Sequence, residues 1–113
     1  MLNKAASFAQ KTYQATMARG FKRTPRSVRD QLLRASESVG ANIAEAISAY
    51  TVKDRIHKFS IAYKEAAEVD WWLDRLKASG EIDQSLAEEL FQDIDEIRRM
   101  IFSARRTLEK QGG

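Results

Sequence analysis

The sequence predicts an all-α fold: one antiparallel up-down-up-down four-helix bundle spanning residues 1–113, assembling as a symmetric homo-oligomer. Three observations point there. Apolar residues recur at three- and four-residue spacing in four segments. Between the segments stand glycine, proline and short polar clusters of the kind that start and stop helices. The neighbours Trp71 and Trp72 would project about 100° apart on a helix, so one small core cannot take both. One proline, five glycines and 31% charged residues favour helices over a turn-rich sheet protein, and 113 residues suit a single domain.

The first helix is expected from about Asn3 to Arg19, with a thin stripe of Ala5, Phe8, Thr12 and Ala15. Gly20 ends it. Thr24-Pro25 opens the second, a capping hydroxyl followed by proline at the first helical position, where a missing N–H costs nothing. Val28, Leu32, Ala35, Val39, Asn42 or Ile43, and Ala46 share a face of this helix, which should end near Ser48. The third begins at Thr51 or Lys53, because Thr51-x-x-Asp54 resembles a capping box. It keeps Ile56, Phe59, Tyr63, Ala66, Leu73 and Leu76 in register until Ser79-Gly80. The fourth, capped by Asp83 or Ser85, has the cleanest period: Leu86, Leu90, Ile94, Ile97, Ile101, Ala104 and Leu108. Connections of about three to six residues make successive helices antiparallel neighbours.

Helix three is apolar over more than one stripe, since Val69, Trp71, Trp72 and Leu73 sweep most of a turn. A lone bundle leaves part of that arc wet, and a large ring buries roughly 150 to 250 Å² when covered. Helix four shows a second apolar edge at Phe91, Met100 and Phe102. The expected oligomer interface is therefore Trp71, Trp72, Phe91, Met100 and Phe102.

Charge is segmented along the chain. From Lys4 to Arg34 eight bases face the single acid Asp30, whereas from Glu81 to Glu96 there are seven acids and no base. Arg19, Lys22, Arg23, Arg26 and Arg29 gather around the first corner, two of them in the opening turns of helix two, where positive charge opposes the helix dipole. These five are the candidate nucleic-acid-binding residues. The competing explanation places the acidic start of helix four of a neighbouring subunit against this corner in a head-to-tail ring. Apart from Phe21, aromatics do not interleave with the arginines as a stacking platform requires. Phosphate contact rather than base reading is expected.

Ser36-x-x-x-Gly40-x-x-x-Ala44-x-x-x-Ser48 is a strip of small residues that lets another helix approach closely, offsetting the roughly 1 kcal/mol that Gly40 costs within a helix. Asn42 and Glu45, one turn apart, are expected to form a buried hydrogen-bonded pair that fixes register. Asp54-Arg-Ile-His57 has the spacing of a di-iron ligand pair, but His57 is the only histidine, so no metal site completes and His57 should be solvated. Nucleophile-elbow, phosphate-loop and zinc-ligand patterns are missing. No enzyme activity, cofactor or metal is expected. Cysteine is absent, no apolar run approaches the roughly 20 residues of a membrane span, and MLNKAASFAQK lacks the apolar core of a secretory signal. The expectation is a mature cytoplasmic protein away from the membrane.

Ser36-Glu-Ser-Val-Gly-Ala-Asn-Ile-Ala-Glu45, with Gln31-Leu-Leu-Arg-Ala35 before it and Lys53-Asp-Arg-Ile-His-Lys-Phe-Ser-Ile-Ala62 and Glu68 to Leu73 after it, resembles the four-helix bundle family encoded in bacterial 23S rRNA intervening sequences. The likeness runs from about Arg26 to the end of helix three, with helix four agreeing in pattern. Where that family usually continues with glycine after the glutamate, Ala46 stands here, which lets helix two run slightly longer. The resemblance implies a left-handed antiparallel bundle assembling as a homopentamer. A relative, the accessory variability determinant of diversity-generating retroelements, implies RNA or a reverse transcriptase as partner. Asn42 and Glu45 carry over as motif positions without assigned chemistry. Together these readings describe a non-enzymatic oligomer binding RNA or DNA, with structured RNA the expected ligand, through phosphates. The alternative is a protein–protein assembly adaptor whose charge segments serve only subunit contacts.

Overall fold

The computed structural model describes residues 1–17 and 25–112. They form four α-helices: α1 (Leu2–Met17), α2 (Arg26–Ser48), α3 (Val52–Ala78) and α4 (Gln84–Gly112). Each helix packs against its neighbours in sequence, and α1 closes against α4. The molecule measures 48 × 20 × 19 Å, close to the length of α4 at about 1.5 Å per residue.

One core runs through all four helices. The expected stripes of α1 and α4 are buried, with Ala9, Thr16 and Ala87 added and with Leu86, Ala104 and Leu108 only half-covered. On α2 the position shared by two candidates goes to Ile43, fully buried, while Asn42 lies at the margin. On α3, Ile56 and Tyr63 are half-buried, and Ala62 and Val69 complete the stripe with Phe59, Ala66, Leu73 and Leu76. Where α1 meets α2 the core is built from small groups. The buried hydroxyls of Thr12 and Ser36 donate to the carbonyls of Phe8 (2.9 Å) and Leu32 (2.8 Å), so burial leaves them partnered.

The small strip of α2 does face another helix, but less tightly than expected. A methyl placed on Gly40 would meet Ala5 Cβ at 3.8 Å, ordinary van der Waals contact. The facing helix itself offers only a methyl there, so the seam has room for an alanine. Ser36 is buried, Gly40 and Ala44 are half-buried, and Ser48 is exposed.

The helix ends explain themselves locally. Pro25 does not occupy the first helical position. It precedes the helix in an extended conformation (φ −55°, ψ 142°), and its carbonyl accepts from the amides of Val28 and Arg29. Thr24, its expected cap, and Gly20 lie outside the described residues, as does the end of the first helix as drawn to Arg19. Ala46 is fully buried, α2 ends at Ser48 as expected, and Arg55 Nε donates to the Ala49 carbonyl at 2.9 Å just beyond. Thr51 caps α3, its hydroxyl accepting from the Asp54 amide at 3.1 Å. At the other end Gly80 takes φ +73°, and the amides of Gly80 and Glu81 donate to the carbonyls of Lys77 and Leu76. This double closure needs a left-handed residue, which glycine supplies without a Cβ clash. Between the two cap candidates of α4, Asp83 is the one used: its carboxylate accepts from the Leu86 amide at 3.2 Å. No described helix is long and apolar enough to cross a membrane.

Candidate functional site

Of the five basic residues predicted at the first corner, Arg19, Lys22 and Arg23 lie outside the described residues. Arg26 and Arg29 open α2, which carries no acid in its first turn and no side-chain cap. Its N-terminal amides and both guanidinium groups therefore add positive potential of the same sign. The two arginines line a cleft with Thr16, Met17, Asp30 and Leu33. Neither has an ion-pair partner among the described residues, and Arg29 Nε is buried without a hydrogen bond.

The rest of the basic N-terminal segment behaves differently. Lys4 meets Glu96 at 3.0 Å, and one to two turns later along α1, Lys11 bridges Glu89 (3.0 Å) and Asp93 (2.6 Å). Hydrogen bonds to Asp93 and then Glu89 hold the Lys11 ammonium above the usual lysine range. On α2, Arg34 pairs with Glu65 and Glu68 of α3. That pairing pulls Glu68 below the usual carboxylate range, assisted by the Trp72 indole N–H, which donates at 3.4 Å. The acidic start of α4 is thus engaged inside the chain. Glu89, Asp93 and Glu96 serve α1, Glu88 takes Lys77 (2.8 Å), Asp95 takes Arg99 (2.7 Å), and Asp83 caps the helix.

Asn42 and Glu45 are not a buried pair. Asn42 is half-buried, and its amide donates to the Ser38 carbonyl (2.9 Å) and hydroxyl (3.1 Å) within its own helix. Glu45 is exposed and reaches Lys58 of α3 at 3.1 Å. The 3.6-residue repeat turns Ile43 inward and Asn42 to the margin, so register rests on apolar packing. His57 is exposed, as expected, and no group of potential metal ligands occurs among the described residues.

The adjacent tryptophans separate as the helix geometry demands. Trp72 packs half-buried against the core, whereas Trp71 stays 59% exposed with Arg75 at 5.9 Å over its ring. Together they line a groove with Pro25, Val28 and Leu76. Of the other predicted interface residues, Phe91 and Met100 are half-covered within the chain, and Lys77 sits 5.7 Å from the Phe91 ring. Phe102 is 43% exposed.

The structure also brings together residues that the sequence reading left apart. Tyr63 of α3 lies against Phe102 of α4, ring centroids 6.3 Å apart. Arg98 and Arg105 stand over Tyr63 at 5.3 and 5.6 Å, and Arg105 stands over Phe102 at 5.5 Å. Aromatics therefore do interleave with arginines, at α4 rather than at the first corner. The available signal was Phe102 between Arg98-Arg99 and Arg105-Arg106, at the three- and four-residue spacing that places them on one side of a helix.

A model of the 23S rRNA-intervening sequence protein family matches residues 1–103. The chain belongs to that family. The match takes in the thin α1 and most of α4, beyond the stretch in which the motifs were legible. A crystal structure of a protein of unknown function from the S23 ribosomal protein family, from Bacteroides thetaiotaomicron, is similar at 31% identity and a TM-score of 0.86. That likeness covers 92% of this chain and 96% of the other. Comparison with curated proteins yields no match. Within the 23S rRNA-intervening sequence protein family, then, this chain leaves Arg26 and Arg29 at the start of α2, Lys53, Arg55, Lys64 and Arg75 on α3, and Arg106 and Lys110 at the end of α4 without an ion-pair partner among the described residues.

Proposed function

We propose that this family member is a non-enzymatic, cytoplasmic, self-associating antiparallel bundle that binds nucleic acid, most readily structured RNA, through phosphate contacts at its first corner. The up-down-up-down reading is supported by contacts that advance along one helix as they retreat along the next: Lys4 with Glu96 and Lys11 with Glu89, Arg34 with Glu68 and Glu45 with Lys58, Lys77 with Glu88 and Asp70 with Arg98. Self-association is supported by Trp71, whose exposed indole at the Trp72 groove is worth covering at about 25 cal/mol per Å². The homopentamer follows from the family resemblance.

One observation favours nucleic acid over the head-to-tail ring. The α4 acids that such a ring would set against the corner already have partners within the chain, while Arg26 and Arg29 have no ion-pair partner among the described residues. The decisive measurement is binding of structured RNA by the purified oligomer at about 50 and 200 mM salt, where several neutralised phosphates give a steep loss. Arg23→Glu, Arg26→Glu and Arg29→Glu together should abolish binding and leave the sedimentation coefficient unchanged. If they dissociate the oligomer instead, or if binding is absent at low salt, the chain is an assembly adaptor, with a protein such as a reverse transcriptase as its partner.

A further inference from the structure

The end of α4 is a second basic surface with a different make-up. From Ile97 to Gly112 it carries Arg98, Arg99, Arg105, Arg106 and Lys110 against the single acid Glu109. Arg98 pairs with Asp70 of α3, Arg99 with Asp95 and Arg105 with Glu109, while Arg106 and Lys110 have no ion-pair partner among the described residues. Phe102 divides two clefts. On one side lie Arg105, Arg106, Glu109 and Lys110, and on the other Tyr63, Asp95, Arg98 and Arg99. A partly exposed ring between two arginine-lined clefts, backed by a second ring, alternates stacking surface and guanidinium groups along the helix, with the unpaired charge of Arg106 and Lys110 at its far end.

We propose that this α3–α4 face binds an unpaired nucleic-acid strand, its bases stacking beside Phe102 and Arg105 and its phosphates meeting Arg99, Arg106 and Lys110. The inference rests on the nucleic-acid reading above but assigns a different surface and a different strand chemistry. Duplex RNA offers phosphates and hides its base faces, whereas an unpaired strand offers both. Aromatic rings and guanidinium planes each stack on bases without regard to sequence. In a twofold contact of two copies through this face cation would meet cation, whereas a strand brings phosphates of the opposite sign. It is Trp71, beside fewer cations, that suits a copy, so Phe102 passes from the expected oligomer interface to this strand site.

The test uses fluorescence anisotropy with the full chain and three probes: a short uridine strand, the same backbone with abasic sites, and an RNA duplex. Phe102→Ala should weaken uridine-strand binding about tenfold, leaving the abasic strand, the duplex and the oligomeric state unchanged, and Phe102→Tyr should restore it. Circular dichroism confirms that each variant is helical. Equal affinity of wild type and Phe102→Ala for the uridine strand overturns the proposal, as does equal loss on the abasic strand or a changed oligomer. The two readings fail separately. Duplex binding sensitive to Arg26→Glu and Arg29→Glu, with a strand indifferent to Phe102, sinks only this one. Strand binding that needs Phe102, with no duplex binding, sinks only the corner. Binding of neither probe sinks both.

Discussion

The seam between α2 and α3 and the seam between α1 and α4 are held together by different physics. Between α2 and α3 two long helices meet over fully buried Leu32, Val39, Ile43, Ala62, Ala66, Val69 and Leu73, with Arg34–Glu65/Glu68 and Lys58–Glu45 along the rims. Between α1 and α4 the helix is short, its buried face is mostly alanine and threonine around Phe8, and lysine–carboxylate bridges cross from Lys4 to Glu96 and from Lys11 to Glu89 and Asp93. Apolar burial is not screened by salt, whereas partly exposed ion pairs are each worth about 0.2–1 kcal/mol and are screened. The first seam is therefore the durable part of the molecule and the second the adjustable part.

The largest effect should come from the durable seam. Leu73→Ala empties a fully buried position and should cost about 2–5 kcal/mol in urea unfolding, with all helices lost in one transition. A local loss confined to α3 would break the contrast.

Next comes the charge seam. Lys11→Met should cost up to about 1 kcal/mol, a difference that shrinks with added salt, and should speed amide exchange in α1 more than in α2 or α3. The two seams should also answer to opposite ends of the pH scale. Lys11 is raised in the folded chain, so its contribution is whole below the ordinary lysine range and is lost as pH climbs through the raised value. Glu68 is lowered, so its contribution is whole above the ordinary carboxylate range and is lost as pH falls through the depressed value. Thermal melts across pH should show Lys11→Met erasing part of the alkaline decline and Glu68→Gln part of the acid decline.

The smallest effect sharpens the comparison from the α1–α2 side. Gly40→Ala has room at 3.8 Å from Ala5 Cβ and removes a helix-interior glycine, so it should stabilise by about 0.5–1 kcal/mol. A destabilised variant would mean that α1 sits closer to α2 than the contact distance states.

How far the sequence carried depends on how local each cause was. The stripe of Leu90, Ile94, Ile97 and Ile101, the Thr51 cap and the glycine at the end of α3 were all legible, because spacing and backbone stereochemistry act within a turn or two. That one core could not take both tryptophans was legible for the same reason, although not that Trp71 is the ring left outside. Partners on other helices were not. The basic and acidic segments looked outward as long as α1 could not be laid against α4, and Glu45 looked like a partner for Asn42 as long as Lys58 was out of view. Tyr63 and Phe102 carry no mutual signal until α3 and α4 lie side by side.

The bridges from Lys11 to Glu89 and Asp93 span 78 and 82 positions of the chain, whereas the other seams join consecutive helices. During synthesis the opening helix leaves the ribosome long before its closing partner is made. Contacts of such sequence separation pay the loop-closure entropy of nearly the whole molecule. Vectorial synthesis therefore makes α2 and α3 available to each other before α4 exists, and the α1–α4 seam can close only once α4 has been made.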